Sequence, residues 1–113
     1  MFKIKTVFPY KGTDLVVSLK NYESGRKAIM LYDAFSGEAY SCPTADLPAL
    51  EVKFYNEVLI KDYSENEGMF KWLTENNIVT WTGRTVASGF VELYICFLNP
   101  EELWNQPDNF ISF

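Results

Sequence analysis

The chain contains no histidine. That absence removes Ser-His-Asp and Cys-His catalysis, histidine-ligated zinc, and the side chain that most often serves as a general base near neutral pH. Cysteine is nearly as scarce. Cys42 and Cys96 are too few for a disulfide scaffold and too few, within one chain, for a four-thiolate zinc site. They are expected to be buried thiols of a cytoplasmic protein. Long apolar runs are missing too: stretches such as Val58-Leu59-Ile60 are far too short to cross a bilayer. Met1-Phe2-Lys3-Ile4-Lys5 alternates lysine with apolar residues where a signal peptide would place an apolar block. There is no Walker loop either, because Thr82-Gly83-Arg84-Thr85-Val86-Ala87-Ser88-Gly89 has neither its spacing nor its lysine. No membrane segment, metal or cofactor is expected.

What is present suits one packed domain spanning residues 1–113. The 113 residues are 48% hydrophobic and 17% aromatic, ample for a single core. The formal net charge of −5 is unevenly spread. Lys3, Lys5, Lys11, Lys20, Arg26 and Lys27 outnumber Asp14 and Glu23 over residues 1–30, giving +4, whereas residues 31–113 sum to −9. Nonspecific nucleic-acid binding needs a cationic surface, so direct nucleic-acid binding is not expected. The acidic later half is ordinary surface charge, a face for a basic partner, or mimicry of a nucleic-acid backbone.

The first half alternates as strands do. Phe2, Ile4, Thr6 and Phe8 set one row, and Leu15, Val17 and Leu19 set the next. Asn21–Arg26 supplies a turn, Ala28–Tyr32 the returning strand, and Asp33–Gly37 a second turn. Glu38–Cys42 runs into Pro43 and reads as an edge strand. Leu47–Leu50 reads as a loop and Val58–Lys61 as a strand. Ile78–Trp81 is a further strand, followed by a turn at Thr82–Arg84. The segment 89–98 is apolar on both faces over most of its length, which places it centrally in a sheet. One helix is expected over residues 65–76. The fold class is therefore α+β: a mainly antiparallel sheet of about six or seven strands with that helix packed on it. Residues 99–113 are expected to fold back as a tail or short helix begun by Pro100.

The stretch Asp62-Tyr63-Ser64-Glu65-Asn66-Glu67-Gly68 places oxygen-bearing side chains at alternate positions. An EF-hand loop would also need glycine at its sixth position and glutamate at its twelfth. Counted from Asp62, those positions hold Glu67 and Leu73, so calcium binding is set aside. A capping box explains more, with the Ser64 hydroxyl and the Glu67 carboxylate each satisfying a free backbone N–H at the helix start. Asn76-Asn77 can end the helix in a left-handed conformation. Gly68 then falls inside a helix, where glycine is unfavourable, and close packing is the expected reason.

Aromatic residues of the basic half, Tyr10 and Tyr22 among them, could stack bases, but no RRM signature accompanies them. They are read as core and hairpin pairs. Trp72 on the helix flank and Trp104, Phe110 and Phe113 in the tail are the candidate contacts for a protein partner. "IKDYSENEGM" at 60–69, "AIMLYDAFSGEAY" at 28–40 and "TGRTVASGFVELYICFL" at 82–98 together resemble a domain-of-unknown-function family. Its members are small proteins encoded on conjugative transposons and plasmids of gut bacteria. The resemblance runs from about residue 28 to 98 and implies a cytoplasmic accessory role on a mobile element. It carries over no catalytic or binding residue. The sequence thus points to a non-enzymatic protein-interaction domain. The alternative is an acidic nucleic-acid mimic that inhibits a defence or DNA-binding protein, drawing on Glu51, Glu57, Asp62, Glu65, Glu67, Glu75 and Glu92. A carboxylate-pair enzyme is the third reading.

Overall fold

A computed structural model describes residues 4–48, 50, 52–104 and 110–112. Among these, nine strands make two antiparallel sheets. The strands are β1 (Ile4–Tyr10), β2 (Thr13–Asn21), β3 (Lys27–Asp33), β4 (Ala39–Ser41), β5 (Thr44–Ala45), β6 (Glu57–Ile60), β7 (Val79–Ser88), β8 (Val91–Leu98) and β9 (Phe110–Ser112). One sheet runs β4-β3-β2-β1-β9 and the other β5-β6-β8-β7. The α+β class holds, with more strands than expected.

Two features raise the count. The first is Pro43, which has no N–H for a ladder and so ends β4 at the edge of the first sheet. The chain resumes immediately as β5, now paired with β6 of the second sheet. The Pro43 carbonyl accepts from Lys61 N at 2.7 Å and the Thr44 hydroxyl accepts from Ile29 N at 3.1 Å, so this corner ties the sheets together. The second is β9, which pairs with β1 beyond a short helical turn at Glu101–Leu103.

Alternation carries each strand's inward row to one shared core. Phe8, Leu15, Ile29 and Leu31 from the first sheet meet Val58, Ile60, Cys96 and Leu98 from the second. The helix α1 (Met69–Glu75) fits between them through Met69 and Leu73. A smaller cluster of Leu59, Leu93 and Ile95 lies on the opposite face of the second sheet, covered by Leu47, Leu50 and Tyr63. β8 is central in its sheet, as its two apolar faces require.

The helix is shorter than the expected 65–76, and the capping box does not form. Ser64 has φ +53° and belongs to a single 3-10 turn, Ser64–Asn66, without a side-chain cap. Glu67 is extended, and Gly68 stands at the helix N-cap with φ +89°. A serine in the left-handed region cannot aim its hydroxyl at the N–H of residue 67 as a cap does. Asp62 takes over the role: its Oδ1 accepts from Gly68 N at 2.5 Å. Gly68 is thus outside the helix, and its conformation is the reason for glycine. A Cβ there would meet only Tyr10 Oη, at 3.9 Å, so crowding is not the cause. The helix end matches expectation. Asn77 has φ +61°, Ile78 N donates to Leu73 O at 3.0 Å and Asn77 N to Thr74 O at 3.1 Å, a Schellman closure with Leu73 and Ile78 both buried.

The turn expected at Thr82–Arg84 is a bulge inside the continuous strand β7, where pairing shifts between Trp81 and Arg84. Gly83 at φ +86° absorbs the extra residue. The Thr82 hydroxyl donates to Ile95 O at 2.7 Å and accepts from Arg84 N at 3.2 Å. The hairpin instead closes at Gly89-Phe90, between the paired residues Ser88 and Val91.

Candidate functional site

Large aromatic side chains gather at the end of the second sheet where β7 begins. The register sets Trp81 opposite Cys96 and Thr80 opposite Phe97. Because neighbours on a strand point to opposite faces, Trp81 lies on the core-side face and Phe97 on the outer one. On the core side, Phe70 of α1 stacks on Tyr94 at 3.9 Å between ring centroids, and Trp81 meets both edge-on at 5.6 and 5.7 Å. Trp81 nevertheless remains 43% exposed. Its Nε1 donates to Arg84 O at 2.9 Å, which fixes the indole across the bulge. On the outer side, Phe54 meets Phe97 edge-on at 5.3 Å, and Phe54 and Tyr55 are 51% and 81% exposed. This rim of the sheet therefore carries aromatic groups on its two faces, Trp81 braced by Phe70 and Tyr94 on one and Phe54 against Phe97 on the other, with Tyr55 exposed beside Phe54. Each ring has few rotatable bonds to order on binding, which favours such residues as contact anchors.

The expected partner contacts lie elsewhere. Trp104 is 5% exposed, packed on Phe8 at 6.2 Å, and donates Nε1 to Asn99 O at 3.1 Å. It anchors the protein's own core because the turn at Glu101–Leu103 swings it inward. Trp72 is half-buried between Phe8 and Tyr10, with Nε1 donating to Pro9 O at 2.9 Å. Phe110 belongs to β9, which pairs with β1; Phe113 lies outside the described residues.

Several of the acidic residues are engaged one by one, while Glu65 and Glu67 are exposed. Glu57 is buried against Arg26, which is 0% exposed and has an acceptor for every N–H of its guanidinium. Nε and Nη2 donate to Glu57 Oε1 at 3.3 and 2.9 Å, Nη1 to Asp46 Oδ1 at 3.2 Å and Leu47 O at 3.3 Å, and Nη2 to Leu50 O at 3.3 Å. Asp46 and Glu57 thus converge on a cation that neutralises them. Glu75 pairs with Lys71 at 3.8 Å, and Glu92 accepts from the Thr85 hydroxyl at 3.3 Å. Glu51 lies outside the described residues. The oxygens of the Asp62 stretch are engaged separately, Asp62 by Gly68 N and the buried Asn66 by the Ser41 hydroxyl. Among the described residues, no three His, Cys, Asp or Glu side chains are grouped to hold a metal ion.

Both cysteines are free. Cys96 is buried as expected, and burial pushes its thiol up to about 12. Cys42 is only half-buried. Its Sγ lies 3.5 Å from Thr44 Oγ1 and 3.8 Å from Tyr22 Oη. Burial raises this thiol, but hydrogen bonds from Thr44 and Tyr22 and the charge of Lys61 outweigh it and leave Cys42 below the ordinary value.

The architecture defines the class: an antiparallel two-sheet α+β domain built around one short helix. Comparison with family models, with characterised proteins and with solved structures finds no match to this chain. No helix among the described residues is long and apolar enough to cross a membrane.

Proposed function

We propose that the protein is a non-enzymatic protein-interaction domain that engages its partner through the rim formed by Phe54, Tyr55 and Trp81. The observation carrying this reading is Trp81: a tryptophan held by Phe70, Tyr94 and a hydrogen bond, yet 43% exposed. Half-buried aromatic support under an exposed ring is the arrangement that lets a contact residue bind without first being ordered. Two free thiols support a reducing compartment and hence the cytoplasm. The resemblance of residues 28–98 to proteins of conjugative elements supports an accessory role on a mobile element. The acidic-mimic reading has less support, because Glu57 is buried on Arg26 and Glu75 is paired with Lys71.

The test is affinity capture from the native host with the wild-type chain, Trp81→Ala and the Phe54→Ala/Tyr55→Ala pair, read by mass spectrometry. A protein retained by the wild type and lost with both rim variants is the expected result. Retention of the same proteins by all three would remove the rim as the contact.

A further inference from the structure

The first sheet has an outward face that the core does not use. Leu15, Val17 and Leu19 of β2 pack on the shared core, so Asp14, Val16, Ser18 and Lys20 point the other way. In β1 and β3 the same alternation turns Val7, Met30 and Tyr32 outward, and none of them belongs to either apolar cluster. The register aligns these residues. Val7, Val16, Tyr32 and Ala39 are successive partners across four strands, and Ser18 lies beside Met30. An outward sheet face exposed to water ordinarily alternates to polar residues. Here two rows of mainly apolar side chains cross it, Val16 buried among its neighbours and Val7, Met30 and Tyr32 half-buried. An acid stands at one end of β2 and a base at the other, where Lys20 Nζ donates to Tyr32 Oη at 3.3 Å.

We propose that two copies of the chain stack these faces about a two-fold axis, β2 over β2 in opposite directions. An axis crossing β2 at Val17 places Asp14 of each copy opposite Lys20 of the other, and Val16 opposite Ser18. On β3 the axis falls at Leu31, the register partner of Val17. Tyr32 of each copy then covers Met30 of the other, a favourable sulfur–aromatic contact. The face is self-complementary in charge, as an isologous interface must be. An outside partner would have to match the acid and the base separately, whereas a second copy supplies both by symmetry. Strand spacing and rise give a footprint roughly 20 Å on a side. The pair therefore covers on the order of 800–1,000 Å², the range of a reversible dimer that dissociates on dilution.

The experiment is sedimentation of the full chain over a wide concentration series, alongside Asp14→Lys, Lys20→Glu and the double reversal. The wild type should reach the mass of two chains. Each single reversal should weaken association about tenfold or more by opposing like charges, and the double reversal should restore it. A zero-length carbodiimide gives a second measurement on the wild type alone. It should join Asp14 to Lys20 between copies, because within one chain the two lie about 20 Å apart along β2. A wild type that stays monomeric throughout overturns the proposal. So does a dimer indifferent to the single reversals, or a cross-linked dimer lacking the Asp14–Lys20 peptide.

Discussion

Arg26 shows how much a single side chain can fix. Its guanidinium reaches acceptors 20 to 31 residues further along the chain, on the loop that covers the second apolar cluster and on β6. Removing one member of such a buried group leaves the others charged or unbonded in a dry site. Arg26→Ala should therefore cost about 3–5 kcal/mol, measured by urea denaturation. Arg26→Lys should recover little of this, because an ammonium cannot supply five donors in a planar fork. The two cysteines differ in the opposite sense. Cys42 should be alkylated well before Cys96 at neutral pH, because the thiolate is the reactive form and Cys42 is both accessible and shifted down. The buried thiol also makes stability depend on pH. With the folded value raised from 9.0 to about 12, the Cys96 contribution is complete below pH 9. It falls as pH rises through that window, since the unfolded chain loses the proton first. Denaturation midpoints of wild type and Cys96→Val should diverge in that direction between pH 9 and 12, and a constant difference would refute the assignment.

At the scale of elements, the join between β6 and α1 repays attention. Residues 62–68 set the helix start through a left-handed glycine and a carboxylate six residues from the N–H it receives. Gly68→Ala should destabilise the protein by about 1–2 kcal/mol, the cost of placing a Cβ in that conformation, readable as a lowered midpoint in thermal denaturation. A substitution without effect would mean that the backbone flips to a right-handed start at no cost. The same join shows what a sequence can and cannot display. Strand periods at Leu15–Leu19 and Ala28–Tyr32 and the left-handed stop at Asn77 are local, so they were legible. Ser64 and Glu67 also match a local pattern, but the pattern is compatible with more than one backbone path, and the contact between Asn66 and β4 belongs to the chosen path. Trp81, the contact proposed above, was illegible for a different reason. Alternation assigns it a face, but only the strand order reveals that β7 is an edge and that its bulge keeps the ring in place. Arg26 carried no local mark at all, since its partners are assembled by the fold.

The two sheets share one core with α1 and are joined at the Pro43 corner. Neither sheet has a separate interior on the side facing the helix, so the chain does not divide into independently stable parts there. That arrangement also separates the two proposed surfaces. The aromatic rim belongs to the second sheet, and the stacking face belongs to the outer side of the first. A dimer formed through the first sheet would leave both rims free and present them as a bivalent pair. Linked sites of this kind raise avidity without any new contact, provided that the partner can reach both.

The pairing of β1 with β9 also has a consequence for the order of events during synthesis. Ile4 and Ser112 are register partners, although nearly the whole chain lies between them. Among the described strands β1 leaves the ribosome before the others, yet its neighbour on one side follows them all. Until β9 arrives, a nascent chain that has already built β1 to β4 carries an unpaired row of backbone donors and acceptors along β1. This is the type of edge on which stray strands assemble. β9 therefore acts as a closing seam for this sheet, and until it is sewn the edge of β1 is exposed to misassembly.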